Sequence, residues 1–144
     1  MNENREKAKS YLRGIQQQKK RMEYKSAEII RLRATAQSVR STFPSNGGSG
    51  HSDDSLGRII AKIVDMEAEY KADVESYLDA EKEAVGFLDR ITAQRANVLH
   101  LHYFQGLTWE RIAEKINYSF RAAYYIGLRA LDELYEVLCL EGKL

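Results

Sequence analysis

An all-α protein is predicted by three features of the chain: a long antiparallel helical (coiled-coil) hairpin followed by a C-terminal helix-turn-helix unit with an extended last helix. First, two stretches of roughly 35 residues place apolar side chains at alternating spacings of four and three, the signature of a heptad seam. Second, those stretches carry opposite charge. Residues 1–44 hold 11 Lys+Arg and 4 Asp+Glu, net +7, whereas residues 45–89 hold 4 and 11, net −7. Third, Thr108 and Ser119 are both N-cap residue types, and each directly precedes a segment of helical apolar spacing. The expected domains are residues 1–91, a hairpin with a flexible linker at 41–54, and residues 92–144, the helix-turn-helix domain.

The first helix is expected from about Arg5 to Arg40, a stretch without Pro. Its seam runs Ala8, Leu12, Ile15, Lys19, Met22, Ser26 and Ile29, interrupted at two polar positions. Ser41 to Asp54 contains the only Pro and three of the nine glycines, and reads as a flexible connection that holds no helix. A phosphate-cradling glycine loop would need a strand before it, and none is indicated. Asp54 or Ser55 then caps a second long helix, with a seam from Leu56, Ile60 and Ile63 through Tyr77 and Ala84 to Leu88 and Ile91. Antiparallel pairing of the two helices would bury both seams and match their charges. Pairing between chains would do the same, so a homodimer is expected.

Asp89 to Thr92 is expected to interrupt the second helix. Ala93 to Phe104 follows as a helix closed by Gly106. In the next segment Ile112 and Ile116 share a face, Ala113 permits a close crossing, and Asn117 enters the left-handed region cheaply. Tyr118 is positioned to plug the corner. The last helix is expected from Phe120 to about Leu140, burying Ala123, Ile126, Ala130 and Leu134. Gly127 within it costs up to ~1 kcal/mol relative to Ala, which implies close approach of another helix.

Little in the chain points to catalysis. No Ser/His/Asp or Cys/His arrangement appears, so a non-enzyme with no cofactor is expected. His100 and His102 flank Leu101, but no carboxylate or thiol falls at a helical offset to complete a metal site. His102 reads instead as a surface histidine near a phosphate. Cys139, the only cysteine, excludes an intramolecular disulfide, suits a reducing cytoplasm and reads as a buried structural thiol. No apolar run approaches a transmembrane span, so no membrane partner is expected.

The residues that carry a binding chemistry lie in the C-terminal unit. Ser119 starts a helix whose N-terminal amides and dipole favour a phosphate. Phe120, Arg121, Ala122, Tyr124 and Tyr125 occupy its opening turns, with Arg129 two turns on. Arg121 suits guanine or phosphate, Phe120 and Ala122 a thymine methyl, and the tyrosine hydroxyls phosphate oxygens. Thr108, Arg111 and Lys115 on the preceding helix complete the candidate interface with double-stranded DNA. Arg111 is unfavourable at a helix N-terminus but reasonable beside a DNA backbone.

Leu99 to Leu131, about a quarter of the chain, resembles the fourth region of bacterial sigma factors through Tyr103-Phe104-Gln105-Gly106-Leu107-Thr108-Trp109, Ile112-Ala113 and Arg129-Ala130-Leu131. It is similar to small phage and prophage proteins of Gram-positive bacteria that carry this region at the C-terminus, among them late-transcription regulators. The resemblance implies that the second helix of the motif enters the major groove, and the N-terminal hairpin is expected to drive dimerisation or to recruit bacterial RNA polymerase. Two positions depart from the family pattern. Arg111 stands where Glu is usual, and Tyr124-Tyr125 where basic residues are common. A transcriptional regulator is therefore the expected function. The alternatives are a small-terminase-like DNA-packaging subunit and an RNA-polymerase adaptor that does not bind DNA.

Overall fold

The computed structural model describes residues 2–42 and 50–144, with the side chains of 50–53 left aside, and these residues are all-helical with no strand. In chain order the helices are α1 (Glu3–Thr42), α2 (Gly50–Leu88), α3 (Ala93–Leu99), α4 (Trp109–Ile116) and α5 (Phe120–Leu140). The linker expected over 41–54 is narrower than its composition suggests. Ser41 and Thr42 remain helical, their hydroxyls donating to the carbonyls of Gln37 and Val39 at 2.9 and 3.0 Å. That back-bonding is how Ser and Thr are accommodated in a helix. At the other end α2 begins at Gly50, before the expected cap at Asp54 or Ser55. The rest of that linker, 43–49, lies outside the described residues.

By their internal contacts the residues form two compact units. One comprises residues 18–77, the C-terminal part of α1 with the N-terminal part of α2. Ile29, Ile63 and Tyr77 are its buried apolar side chains. Lys25 pairs with Asp73 and with Glu69, the latter at 3.8 Å, and Arg33 pairs with Glu67. Later residues of α1 thus meet earlier residues of α2, and basic meets acidic as the charge split led us to expect. Exposed pairs of this kind contribute at most ~1 kcal/mol each. The seam is only partly covered, because Ile60 is 40% exposed, and Ile30 and Val64 beside it are 65% and 61% exposed.

The other unit joins residues 1–17 to 78–144 and has the larger core. Ala8, Leu12 and Ile15 of α1 and Ala84 and Leu88 of α2 are buried in it, as expected of their seams. Leu131, Leu134 and Leu138, the apolar tail of α5, are buried in it as well. Tyr11 meets Phe87 with ring centroids 6.1 Å apart, and its hydroxyl donates to Glu83 at 3.4 Å. Helix α2 stops at Leu88 and α3 starts at Ala93, which agrees with the expected break. Glu133 of α5 sits on the N-terminus of α3. It accepts from the Thr92 N–H at 3.0 Å, the Thr92 hydroxyl at 2.7 Å and Arg95 at 2.8 Å.

The helix expected to run unbroken from Ala93 to Phe104 changes character at His100. Its last five residues form a π-turn, closed by the Gln105 N–H on the His100 carbonyl at 3.1 Å. The wider turn lets Leu101, Tyr103 and Phe104 all reach the interior. Gly106, at φ 73°, ends it as expected. Two expectations are corrected. Cys139 is exposed, since it lies one residue off the stripe of Leu131, Leu134 and Leu138 and therefore about 100° round the helix. Tyr118 is 48% exposed and does not plug the corner, its hydroxyl being held by Gln94 at 3.0 Å.

Candidate nucleic-acid interface

The α4–α5 corner is built by local chemistry at each joint. Thr108 Oγ1 accepts from the Arg111 N–H at 3.3 Å, and Ser119 Oγ accepts from the Ala122 N–H at 3.1 Å, so both expected caps form. Between them Asn117 adopts φ 64°, ψ 42°. The Asn117 N–H reaches the Glu114 carbonyl at 3.3 Å and the Tyr118 N–H the Ala113 carbonyl at 2.9 Å. That is the paired closure of a Schellman motif, here with Asn in the position glycine usually takes. Val98, Leu101, Ile112, Ala113 and Ala123 form the core beneath, with Leu107, Trp109, Ile116 and Ile126 packed against it.

Gly127 is explained by Trp109. A Cβ at position 127 would collide with Cη2 of that indole and lie 2.9 Å from its Cζ3. The close approach implied by a mid-helix glycine is thus that of one side chain from α4. The indole is stacked on His102 at 4.4 Å and meets Tyr124 edge-on at 5.5 Å. His102 is therefore half-buried, and its Nδ1 donates to the Leu107 carbonyl at 2.8 Å.

The candidate residues separate into groups. Ala123, Gly127 and Ala130 turn inward, leaving Phe120, Tyr124 and Tyr125 exposed by 49%, 42% and 52%, and Arg121 exposed among them. Phe120 and Tyr124 stack in parallel at 6.3 Å. Arg129 is held against Tyr125, donating to its hydroxyl at 2.8 Å with the guanidinium 5.2 Å from the ring centre. Ala122 is half-buried. On α4, Arg111 and Lys115 border a shallow depression with Leu107 and Glu114. Among the described residues no hydrogen bond, ion pair or ring contact joins that pair to the aromatic group of α5.

Sequence reasoning missed three basic residues of α1. Arg5 grips Asp132 of α5 through two bonds of 2.7 and 2.9 Å, and this pairing holds the Asp132 carboxyl below the usual carboxylate range. Lys9 and Arg13 line a small recess with His102, Tyr103, Trp109 and Tyr124. Burial pushes the Tyr103 hydroxyl up to about 12. The basic surplus of the first 44 residues was the available signal, but helical periodicity alone does not say which remote helix those cations meet.

Among the described residues no helix is long and apolar enough to cross a membrane, and no cluster of three or more His, Cys, Asp or Glu is placed to hold a metal ion. No protein-family model, curated protein or solved structure matches the chain.

Proposed function

We propose that the protein is a DNA-binding transcriptional regulator of phage or prophage type, with α4, the Asn117 turn and α5 acting as a sigma-like helix-turn-helix. In this reading α1 and α2 fold back as an antiparallel hairpin that serves dimerisation or contact with RNA polymerase. One observation carries it: beyond the Ser119 cap, α5 leaves Phe120, Arg121, Tyr124 and Tyr125 exposed while its opposite face is buried. A major groove ~12 Å wide admits such a helix, and its first turns are the part that reaches base edges. Arg121 is the side chain with reach and charge for a guanine edge. Replacing it with Ala keeps helix propensity and is expected to weaken specific binding by about 1–3 kcal/mol while non-specific binding changes little. Fluorescence anisotropy on duplex DNA measures both, and unchanged affinity on every duplex would remove the docking scheme. The exposed Ile30 and Val64 supply apolar surface for a second copy. A strict monomer by light scattering at tens of micromolar would remove the dimer.

A second reading is favoured by the aromatic character of the same face. Tyr118, Phe120, Tyr124 and Tyr125 together expose a patch of the type enriched at protein interfaces. On this reading the protein grips RNA polymerase without touching DNA, and co-purification with polymerase in the absence of any mobility shift would support it.

A further inference from the structure

The recess beside Trp109 is a concave feature that gathers cations. It encloses about 110 Å³, and its lining residues include Lys9 and Arg13 of α1, His102, Trp109 at the start of α4, and Tyr124 of α5. No carboxylate lines it, and among the described residues neither Lys9 nor Arg13 is within ion-pair distance of an Asp or Glu. The space is large enough for several waters or for the oxygens of one phosphate. Trp109, which lines it, is stacked on His102 and packed against Gly127. Its mouth adjoins the exposed turn of α5 through Tyr124, whose ring stacks on Phe120.

We infer that this recess seats one backbone phosphate of duplex DNA, with Lys9 and Arg13 supplying the charge, so that the first turns of α1 act as an outrigger to α5. The inference rests on the DNA-binding reading above and extends the same interface. The α5 residues lining the recess run from Tyr124 to Leu131, roughly 5–15 Å along the helix from Arg121 at 1.5 Å per residue. That span is comparable with the ~12 Å width of the major groove. A helix whose first turn lies in the groove therefore brings this flank to the phosphates that wall it. Phosphate contacts position a protein without reading sequence, so the effect of the pair should be the same on every duplex.

The test is a salt titration of the full chain on labelled duplex DNA of several sequences, comparing the parent with Lys9→Ala/Arg13→Ala, Lys9→Arg/Arg13→Lys and the charge-matched control Arg58→Ala/Lys62→Ala, with circular dichroism confirming the fold of each. The expected result for Lys9→Ala/Arg13→Ala is an affinity loss of about fivefold or more on every sequence, with the slope of log K against log salt smaller by about 0.9, one phosphate's worth. The charge-preserving pair should keep the parent slope, and so should the control. A Lys9→Ala/Arg13→Ala variant with the parent slope and affinity overturns the inference and leaves the DNA reading standing. An equal loss in the Arg58→Ala/Lys62→Ala control overturns it too, since the effect would then be bulk charge. If the parent binds no duplex at low salt, both the inference and the DNA reading fall.

Discussion

Gly127→Ala separates two opposing effects whose sizes can be worked out. In an exposed helix interior the substitution stabilises, by up to ~1 kcal/mol, because Ala loses less backbone entropy than Gly. Here the added methyl would lie 2.9 Å from Cζ3 and 3.3 Å from Cζ2 of Trp109, and closer still to Cη2. Carbon atoms prefer separations of ~3.5–4.0 Å, so the ring must retreat by roughly an ångström. His102 stacked behind it and Tyr124 at its edge obstruct that retreat. Overpacking of this kind costs ~1–3 kcal/mol. The balance is a net loss of about 1 kcal/mol, or a fall in Tm of about 3 °C for a chain of this size. Urea melts followed by circular dichroism and by the fluorescence of Trp109, the only tryptophan, measure stability and ring environment together. In a Trp109→Leu background the same substitution should become neutral or stabilising. If Gly127→Ala stabilises the protein with Trp109 in place, the ring is not held against the helix and the packing argument is wrong.

Three further outcomes are expected. Asn117→Val puts a β-branched residue at φ 64° and should destabilise by about 1–3 kcal/mol, whereas Asn117→Gly should be tolerated; equal stability of the two in urea melts would refute the strain argument. Asp132, bonded to Arg5, titrates below its unfolded value of ~3.9, so its contribution is present above that pH and is lost as pH falls through the lowered folded value. Asp132→Asn should therefore cost about 1 kcal/mol near neutrality and flatten the acid limb of the stability profile, and parallel acid limbs for variant and parent would contradict this. Cys139, being exposed, should react with Ellman's reagent in the folded protein without denaturant; protection until unfolding would show it to be buried.

What could be read in advance was whatever local chemistry decides. Thr108 and Ser119 cap because a hydroxyl accepts from an N–H three residues on, and Asn117 turns because it tolerates positive φ. Gly106 ends its helix on the same ground, and the break after Leu88 and the span of α5 were also legible. Features set by remote packing were not. The π-turn at His100 follows from the burial of Tyr103 and Phe104, and no local pattern announces it. That Trp109 fills the place left by Gly127 was half legible, since the glycine signalled a close approach but not by what. Cys139 was misplaced for a reason visible in the sequence itself, because neighbours of an apolar stripe point away from it. Lys9 and Arg13 entered only through the net positive charge of residues 1–44, and only the tertiary fold brings them to the flank of α5.

The most direct test of the central claim is selection of duplexes from a random-sequence library by the purified full chain, run in parallel for the parent and Arg121→Ala and sequenced. A DNA-reading α5 is expected to enrich a recurring motif with the parent, and to lose preference at one base position of that motif with Arg121→Ala, as follows when a single side chain reads one base edge. No enrichment by the parent at any salt concentration, or an identical motif with both proteins, would contradict the account.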